Sequence, residues 1–369
     1  MLKKPQDFLE AFLILNMRLS KLCVVEVLIL RNQKPLKLLL FVMFKKIINV
    51  LLFLLLHISF SKAYSQEHYL IVKDSITKET LPYTSINLQN GYGLFTDENG
   101  KVTLDKDIPK TIKITHIGYS SRMVSIDTLI DNVVLLQPET NVLNEMKIPV
   151  TRKDLKKRKE YVVKPSLHDN IDEMYWSSIG QQFAFYIPNE KGNGVLKSVT
   201  IPLIVKDLYQ GMADSSFEEH PYGTMVRFEF MSNSDKLPGA KLYGCDKVFV
   251  IQSDKVSQKV EVKFEESIPV PDEGFFVVMT VIGKTNEKGE YVPEMPYGVR
   301  EVHGEKKKFI KIILPNYPLV EAPKGPLTLF RHVFDSSEKW RKIDRPMVYK
   351  KGKEYPVYNI GIGYVISAY

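Results

Sequence analysis

Cysteine is almost absent from this chain, which has only Cys23 and Cys245 in 369 residues. Cys23 lies in the N-terminal leader discussed below, so the remainder carries one cysteine and cannot form an intrachain disulfide. A bacterial lipoprotein needs a cysteine at its cleavage site, and none stands there. Cys245, whose nearest histidine in sequence is His220, is predicted to be an inert, buried thiol because nothing places a base beside it.

Metal and hydrolase motifs with a fixed local spacing are also missing. None of the six histidines after the leader has a glutamate three residues on, and no His-Glu-x-x-His, Cys-x-x-Cys or Gly-x-Ser-x-Gly occurs. We therefore predict no catalytic, cofactor-binding or metal-binding residues and no cofactor. Two cooperating carboxylates leave no such signature, so a hydrolase built on a carboxylate pair stays open.

Positive charge is in excess overall but not in the body of the chain. The 51 Lys and Arg residues exceed the 43 Asp and Glu residues, which gives a net charge of +8. Residues 1–65 carry +7 of that charge, and residues 66–369 carry only +1. The basic balance is therefore a property of the leader, and it gives no argument for nucleic-acid binding.

The leader has the parts of a secretory signal peptide. Met43-Phe-Lys-Lys is a basic start, Ile47 to Phe60 is an apolar segment, and Ala63-Tyr-Ser is a cleavage site of small residues. Cleavage is predicted between Ser65 and Gln66. The apolar segment is shorter than the roughly 20 residues of a spanning helix, so we expect no transmembrane span in the mature chain. The product is expected in the periplasm, at the outer membrane or outside the cell.

Residues 1–42 fit no signal design, because they place the apolar segment far from Met1. Translation starting at Met43 explains them most simply, and the competing hypothesis is an uncleaved leader that anchors the chain. The boundaries that follow are 1–42 for an extension, 43–65 for the signal peptide, 66–137 and 173–369 for two domains, and 138–172 for a linker. The linker contains the basic run 152–159, which is typical of a solvated segment, although an anionic-surface contact stays open.

Residues 68–136 have the pattern of a small β-sandwich. Apolar and polar residues alternate around Ile86 and Leu88, and again from Thr111 to Ile117. Asn90-Gly91 and Asn99-Gly100 are strong turn signals, because both residue types tolerate positive φ. Strand signals about every 8–12 residues predict an antiparallel sandwich, with a β-hairpin at Asn99-Gly100.

This pattern resembles the carboxypeptidase regulatory-like domain, a transthyretin-like β-sandwich. The matching features are Asp74, Thr77, Leu81-Pro82, the Thr96-Asp-Glu-Asn-Gly100 turn and Ile117-Gly-Tyr119. Leu143 to Val150 is similar to the segment that follows this domain in outer-membrane receptors. One departure is Asn90-Gly-Tyr-Gly93, where the family usually has one glycine and a small residue. The resemblance implies a transthyretin-like fold and an accessory role. It implies no particular activity, since one fold hosts many functions.

The C-terminal part, 173–369, is predicted to be a larger β-sandwich of jelly-roll type, so the mature chain is all-β. Lys259 to Phe264 alternates strictly, which predicts one wet face, and Gly274 to Ile282 is continuously apolar, which predicts the centre of a sheet. This part resembles the C-terminal region of secreted two-domain proteins of Bacteroidetes, through Ile187-Pro-Asn, Val226-Arg-Phe-Glu-Phe and Ile268 to Val277. That family has no assigned activity, so the resemblance implies none for this chain.

Several residues are candidates for a functional site. His116 shares the parity of Ile112 and Ile114 and is predicted to be a hydrogen-bonded core or edge histidine. Tyr175-Trp176 and Trp340 could stack on sugar rings, but core packing is favoured. Asp97-Glu-Asn-Gly100 resembles part of a calcium loop, but it is too short for one and is predicted to be a turn.

Two functions stay open at this point. The favoured one is an exported, non-catalytic binding protein of the cell envelope, whose partner is an envelope protein or a glycan. The alternative is a secreted hydrolase that acts on glycans or peptides through a carboxylate pair in the C-terminal domain. A receptor of the TonB-dependent class is excluded, because its barrel of about 22 strands does not fit in this length.

Overall fold

The structure is a computed structural model of the chain, and it describes residues 43–44, 46–49, 68–104, 108–129, 131–139, 159–190, 192, 194–204, 222–242, 247–335, 337, 339–346 and 350–368. Residues 43–44 and 46–49 are helical. The rest of the described chain consists of strands and loops with two short 3-10 helices, Ile126–Thr128 and Ile171–Glu173, which confirms the all-β prediction. The predicted cleavage site at Ser65 and Gln66, the basic run 152–158, His220 and Cys245 lie outside the described residues.

Seven strands form the small sandwich. They are β1 His68–Asp74, β2 Ser85–Asn87, β3 Gly93–Phe95, β4 Lys101–Leu104, β5 Thr111–Thr115, β6 Arg122–Ser125 and β7 Val133–Leu136. One sheet has the order β4-β1-β7 and the other the order β3-β2-β5-β6. The pairing is antiparallel except between β1 and β7, which run parallel and so depart from the predicted antiparallel sandwich. Leu70, Val72, Ile86, Ile112 and Ile114 form the core between the sheets.

The Asn99-Gly100 turn is present, but the predicted hairpin is wrong. The strands on either side of the turn, β3 and β4, belong to different sheets. Asp97 Oδ1 accepts hydrogen bonds from the Asn99 and Lys101 amides at 2.9 and 2.8 Å. Gly100 has a φ of +68°, and a Cβ there would lie 2.8 Å from the Val72 carbonyl oxygen. The motif therefore makes a tight crossing from one sheet to the other, which needs glycine for backbone clearance as well as for its φ.

Two other motif residues clamp the first loop of the small sandwich. Tyr119 Oη donates to Asp74 Oδ2 at 2.7 Å, and Asp74 Oδ1 accepts from the amides of Ile76 and Thr77 at 2.5 and 3.0 Å. The Tyr119 hydrogen bond, with those two amides, lowers the pKa of Asp74 although burial opposes it. Burial and Asp74 raise the pKa of Tyr119 to about 12. Asp74 and Tyr119 therefore fix the loop that follows β1.

The larger part of the described chain has seventeen strands. They are β8 Lys159–Val163, β9 Met174–Ser178, β10 Gln181–Ile187, β11 Val195–Pro202, β12 Gly223–Ser234, β13 Leu237–Lys241, β14 Lys247–Gln252, β15 Lys259–Pro269, β16 Phe275–Thr285, β17 Tyr291–Val292, β18 Tyr297–Val302, β19 Glu305–Ile310, β20 Ile312–Glu321, β21 Thr328–His332, β22 Arg341–Lys342, β23 Tyr358–Ile360 and β24 Gly363–Ala368.

These strands form packed antiparallel sheets. The largest has the order β13-β12-β16-β10-β21-β22, with β14 on β12 and β17 on β16. The others are β15-β11-β24-β8, β23-β20-β9 and the hairpin β18-β19. As predicted, β16 lies inside its sheet, between β12 and β10, and β15 buries alternate residues, Val260 and Val262. One apolar core lies between the sheets, and residues His68–Tyr369 form one compact unit.

The two sandwiches share a junction inside this unit. Phe95 of β3 is fully buried and belongs to the large core, where its ring lies 5.5 Å from the Phe334 ring. Phe334 fits between Gly93 of the small sandwich and Gly180, because a Cβ on either glycine would come within 2.5 Å of its ring. Gly93 is the second glycine of the Asn90-Gly-Tyr-Gly93 departure. The extra glycine therefore has a structural reason, since it admits Phe334.

Candidate functional site

A polar cleft of about 310 Å³ lies where the small sandwich covers the large sheet. One wall is the outer face of the β12-β16-β10-β21 sheet, and the other is the outer face of β2 and β5. Alternate residues of a strand point to opposite faces. Val226, Phe228 and Phe230 of β12 enter the core, so Arg227 and Glu229 face the cleft.

Polar side chains form a row across four strands of the large sheet. Arg227 of β12 is opposite Thr280 of β16, Thr280 is opposite Gln182 of β10, and Gln182 is opposite Arg331 of β21. Gln182 Nε2 donates to Thr280 Oγ1 at 2.7 Å, and Arg331 Nε donates to Gln182 Oε1 at 2.7 Å. The Arg331 guanidinium also lies over the Trp340 ring at 4.4 Å. The row thus has an arginine at each end, and hydrogen bonds join its Thr280, Gln182 and Arg331 members.

Arg227 and Glu229 are a buried ion pair beside this row. They are 6% and 4% exposed, and Arg227 Nε lies 3.7 Å from Glu229 Oε2. Arg227 Nη1 donates to the Tyr83 carbonyl of the small sandwich at 3.1 Å, which fixes the guanidinium against the opposite wall. Taking two charges out of water costs several kcal/mol per ion before their attraction offsets it. Stability alone is therefore a weak reason for the pair.

The small sandwich contributes the second polar wall. Ser85 and Asn87 of β2 lie directly opposite Thr115 and Lys113 of β5, on the face away from the small core. Asn87 Nδ2 also donates to the Val333 carbonyl at 3.4 Å, which ties this wall to the large domain. The cleft thus lies between two polar sheet faces, where two packed sheets usually present apolar side chains.

Two histidines line the cleft, and both are neutral near pH 7. Burial, followed by the positive charges of Arg227 and Lys241, lowers the pKa of His116 to about 3. Its Nδ1 lies 2.9 Å from Thr84 Oγ1, so the prediction of a hydrogen-bonded histidine is confirmed. His116 follows β5 and lines the cleft. Burial lowers the pKa of His332 to about 4, against the opposing effects of the Ile179 carbonyl and Asp335.

Three buried polar atoms of the cleft lining have no hydrogen-bond partner among the described residues. They are Arg227 Nε, Ser85 Oγ and His332 Nε2. Ser85 is 6% exposed, so water does not reach its hydroxyl freely. Buried polar groups in folded proteins are almost always paired, so each exception asks for an explanation. Arg227 Nε and Ser85 Oγ can donate, which makes the cleft a place for an acceptor.

The other candidate residues have structural positions. Tyr175 is buried in the large core, where its ring packs edge-on against Phe183 at 5.7 Å, and this confirms the packing prediction for that residue. Trp340 packs on a small apolar cluster of Ala184, Phe276, Val278 and Leu329, beneath Arg331. Asp97-Glu-Asn-Gly100 is the turn described above, as predicted.

Sequence reasoning did not single out the cleft. The alternation in Val226-Arg-Phe-Glu-Phe predicts a strand with one polar face, and this was the available signal for Arg227 and Glu229. Gln182 and Arg331 are 149 residues apart, and only the strand register brings them together. Within the described chain, no group of three or more His, Cys, Asp or Glu side chains could hold a metal ion. No helix of the described residues is long and apolar enough to cross a membrane.

Comparison with known proteins identifies no family for this chain. No protein-family model matches the chain, and no curated protein matches it. The cysteine protease and lectin-like domains of Cwp84, a surface layer associated protein of Clostridium difficile, are similar over 57% of this chain, at 10% identity and a TM-score of 0.30. A structure of Clostridial cysteine protease Cwp84 after propeptide cleavage matches 58% of this chain, at 12% identity and a TM-score of 0.30. This chain spans 36% and 41% of those two structures, and likeness this low carries no functional argument.

Proposed function

We propose that this chain is an exported, non-catalytic binding protein of the cell envelope, with the small sandwich as an adaptor of the regulatory-like type. The observation that carries the proposal is the polar cleft between the sandwiches, which buries an ion pair and three polar atoms without a hydrogen-bond partner among the described residues. A cleft lined by convergent polar groups and fixed by the fold is the usual form of a ligand site. The signal-like leader supports export.

The contents of the cleft favour binding over hydrolysis. Glycoside hydrolysis needs two carboxyl groups about 5–10 Å apart, in environments that separate their pKa values. Among the described residues that line the cleft, Glu229 is the one carboxylate, and it is paired with Arg227. Both histidines are held neutral by burial, with pKa values well below neutrality, which suits them to packing better than to proton exchange near pH 7.

The test is a binding and turnover screen on the full chain, expressed with its own leader and recovered from the envelope fraction. The panel contains neutral and acidic glycans and peptides, and each member is assayed for binding and for product. We expect at least one member to bind without product. Recovery from the cytosol alone would contradict export, and product formed from any member would overturn the non-catalytic proposal.

A pair of variants places that binding in the cleft. Thr115 faces the cleft, and Thr111 lies on the same strand and the same face but outside the lining. Thr115→Trp should fill the cleft and abolish binding, whereas Thr111→Trp, the same change at an exposed position, should leave it intact. Equal loss in both variants would point to misfolding, and the unfolding midpoint of each, measured in parallel, identifies that case.

A further inference from the structure

We propose that the cleft is a site for a small hydroxylated carboxylate, of the class of the sugar acids. This inference rests on the proposed function, because it names the ligand class of the same cleft. It is carried by the volume of the cleft, its charge, its unpartnered donors and its one carboxylate.

The volume limits the ligand to a small molecule. At about 310 Å³, the cleft is at the lower end of the range of about 300–1,000 Å³ that is typical of ligand pockets. The junction at Phe334 and the Arg227–Tyr83 hydrogen bond join the two walls, so the site is formed before a ligand arrives. Binding to a preformed site does not lose the conformational entropy of ordering side chains and loops.

The charge of the lining favours an anion. Lys113, Arg227 and Arg331 are positive, and Glu229 is the opposing carboxylate. Because the histidines are neutral at pH 7, this described lining contains three cationic side chains and one carboxylate. Positive charge inside a low-dielectric cleft attracts an anion more strongly than the same charge at the surface does.

The unpartnered donors identify the anion as one that arginine can bind. A guanidinium presents its donors in a planar fork that matches the two oxygens of a carboxylate. Arg227 has one of its donors, Nη1, fixed on the Tyr83 carbonyl. Its Nε lies 3.7 Å from Glu229 Oε2 and is buried without a hydrogen bond. Ser85 Oγ lines the same cleft and can donate to the same anion. A carboxylate has the acceptor oxygens that either of these donors needs.

Glu229 extends the chemistry to hydroxyl groups. Glu229 is 4% exposed, and its ion-pair contact with Arg227 is 3.7 Å long. A carboxylate can accept several hydrogen bonds and cannot donate. The ligand should therefore carry hydroxyl donors as well as its own acid group, and sugar acids have both.

The test compares galacturonate, galactose and inorganic phosphate by calorimetric titration into the full chain. Galacturonate and galactose share the ring and the hydroxyl groups, so their difference isolates the carboxylate. We expect galacturonate to bind at least about tenfold more tightly than galactose, as one charge-assisted hydrogen bond provides. Equal affinity for the two sugars, or equal affinity for phosphate and galacturonate, would overturn the carboxylate assignment.

Two charge-removing variants place the effect in the cleft. Arg227→Gln should weaken galacturonate by about tenfold or more and bring it close to galactose. Lys113→Gln, at a half-buried position, gives a second reading if the buried arginine is needed for folding. The control is Lys110→Gln, which removes the same charge at an exposed site of the small sandwich and should change nothing. Full affinity in both cleft variants would contradict the proposal.

The outcomes separate this inference from the proposed function. If galacturonate does not bind while another panel member binds and loses that binding in Thr115→Trp, the proposal of a binding protein is supported and the proposed ligand class is wrong. If galacturonate is converted to product, the non-catalytic proposal is the one that fails.

Discussion

The two faces of the β12-β16-β10-β21 sheet are made from alternate residues of the same strands and have different chemistry. The inner face carries Phe183, Phe228, Phe230 and their neighbours, which belong to the large apolar core. The outer face has an apolar cluster around Val278 at one end and the Arg227-to-Arg331 row at the other. The fold buries both, but only one of them contains charge.

That difference separates what the fold needs from what a site needs. An apolar residue buried in a sheet contributes stability directly, by about 25 cal/mol per Å² of surface. A buried ion pair contributes less than apolar residues of the same volume would in many cases. Folding alone therefore explains the inner face. The buried charges at the polar end of the outer face are explained better by a function.

The largest expected effect comes from breaking the inner face. Phe228 is fully buried in the core, so Phe228→Ala should lower the free energy of unfolding by about 4 kcal/mol, through lost transfer energy and a cavity. Urea unfolding of the full chain measures this. A loss below about 1 kcal/mol would mean that the inner face is not the main source of stability.

The sequence predicted the inner face far better than the outer one. The continuous apolar run in β16 indicates a buried central strand because hydrophobic patterning is a local property of the sequence. The pairing of β3 with β2 and of β4 with β1 is not local, which is why the hairpin prediction at Asn99-Gly100 failed. The cleft combines β2, β5, β10, β12 and β21, so its composition follows from topology and register that no local pattern encodes.

The next largest effect should come from the outer face and should be reversible by a second change. Glu229→Leu leaves the Arg227 guanidinium buried without its counter-charge, which should cost about 3 kcal/mol. Adding Arg227→Met removes the remaining charge, so the double variant should return to within about 1 kcal/mol of the parent. Urea unfolding of both variants beside the parent tests this. A double variant as unstable as the single one would mean that the pair is structural.

Acid should then destabilise the junction through its two neutral histidines. Their folded-state pKa values, about 3 for His116 and about 4 for His332, lie below the unfolded value near 6.5. The folded state therefore binds fewer protons, and its stability is complete above pH 6.5 and falls as the pH drops below that value. At pH 5 each histidine should account for up to about 2 kcal/mol.

Unfolding curves measured from pH 8 to pH 4 check this prediction. His116→Asn and His332→Asn should each flatten the acid limb, which is the fall of the free energy of unfolding below pH 6.5. The matched control is His303→Asn, at the exposed turn between β18 and β19, where the φ of 54° suits asparagine. A control that flattens the limb as much as the cleft variants do would place the acid sensitivity elsewhere.

The smallest expected effect is at an ion pair that lies outside the cleft. Lys110 Nζ and Asp127 Oδ2 are 3.5 Å apart, but their side chains are 85% and 64% exposed. Water screens their attraction, and ordering two mobile side chains offsets most of what remains. Lys110→Ala should therefore change the free energy of unfolding by less than about 0.5 kcal/mol. The contrast with Glu229→Leu depends on burial, since the distances in the two pairs are nearly equal. If both changes cost the same in urea unfolding at two salt concentrations, the cleft would be as wet as the surface, and the argument from its buried charge would fail.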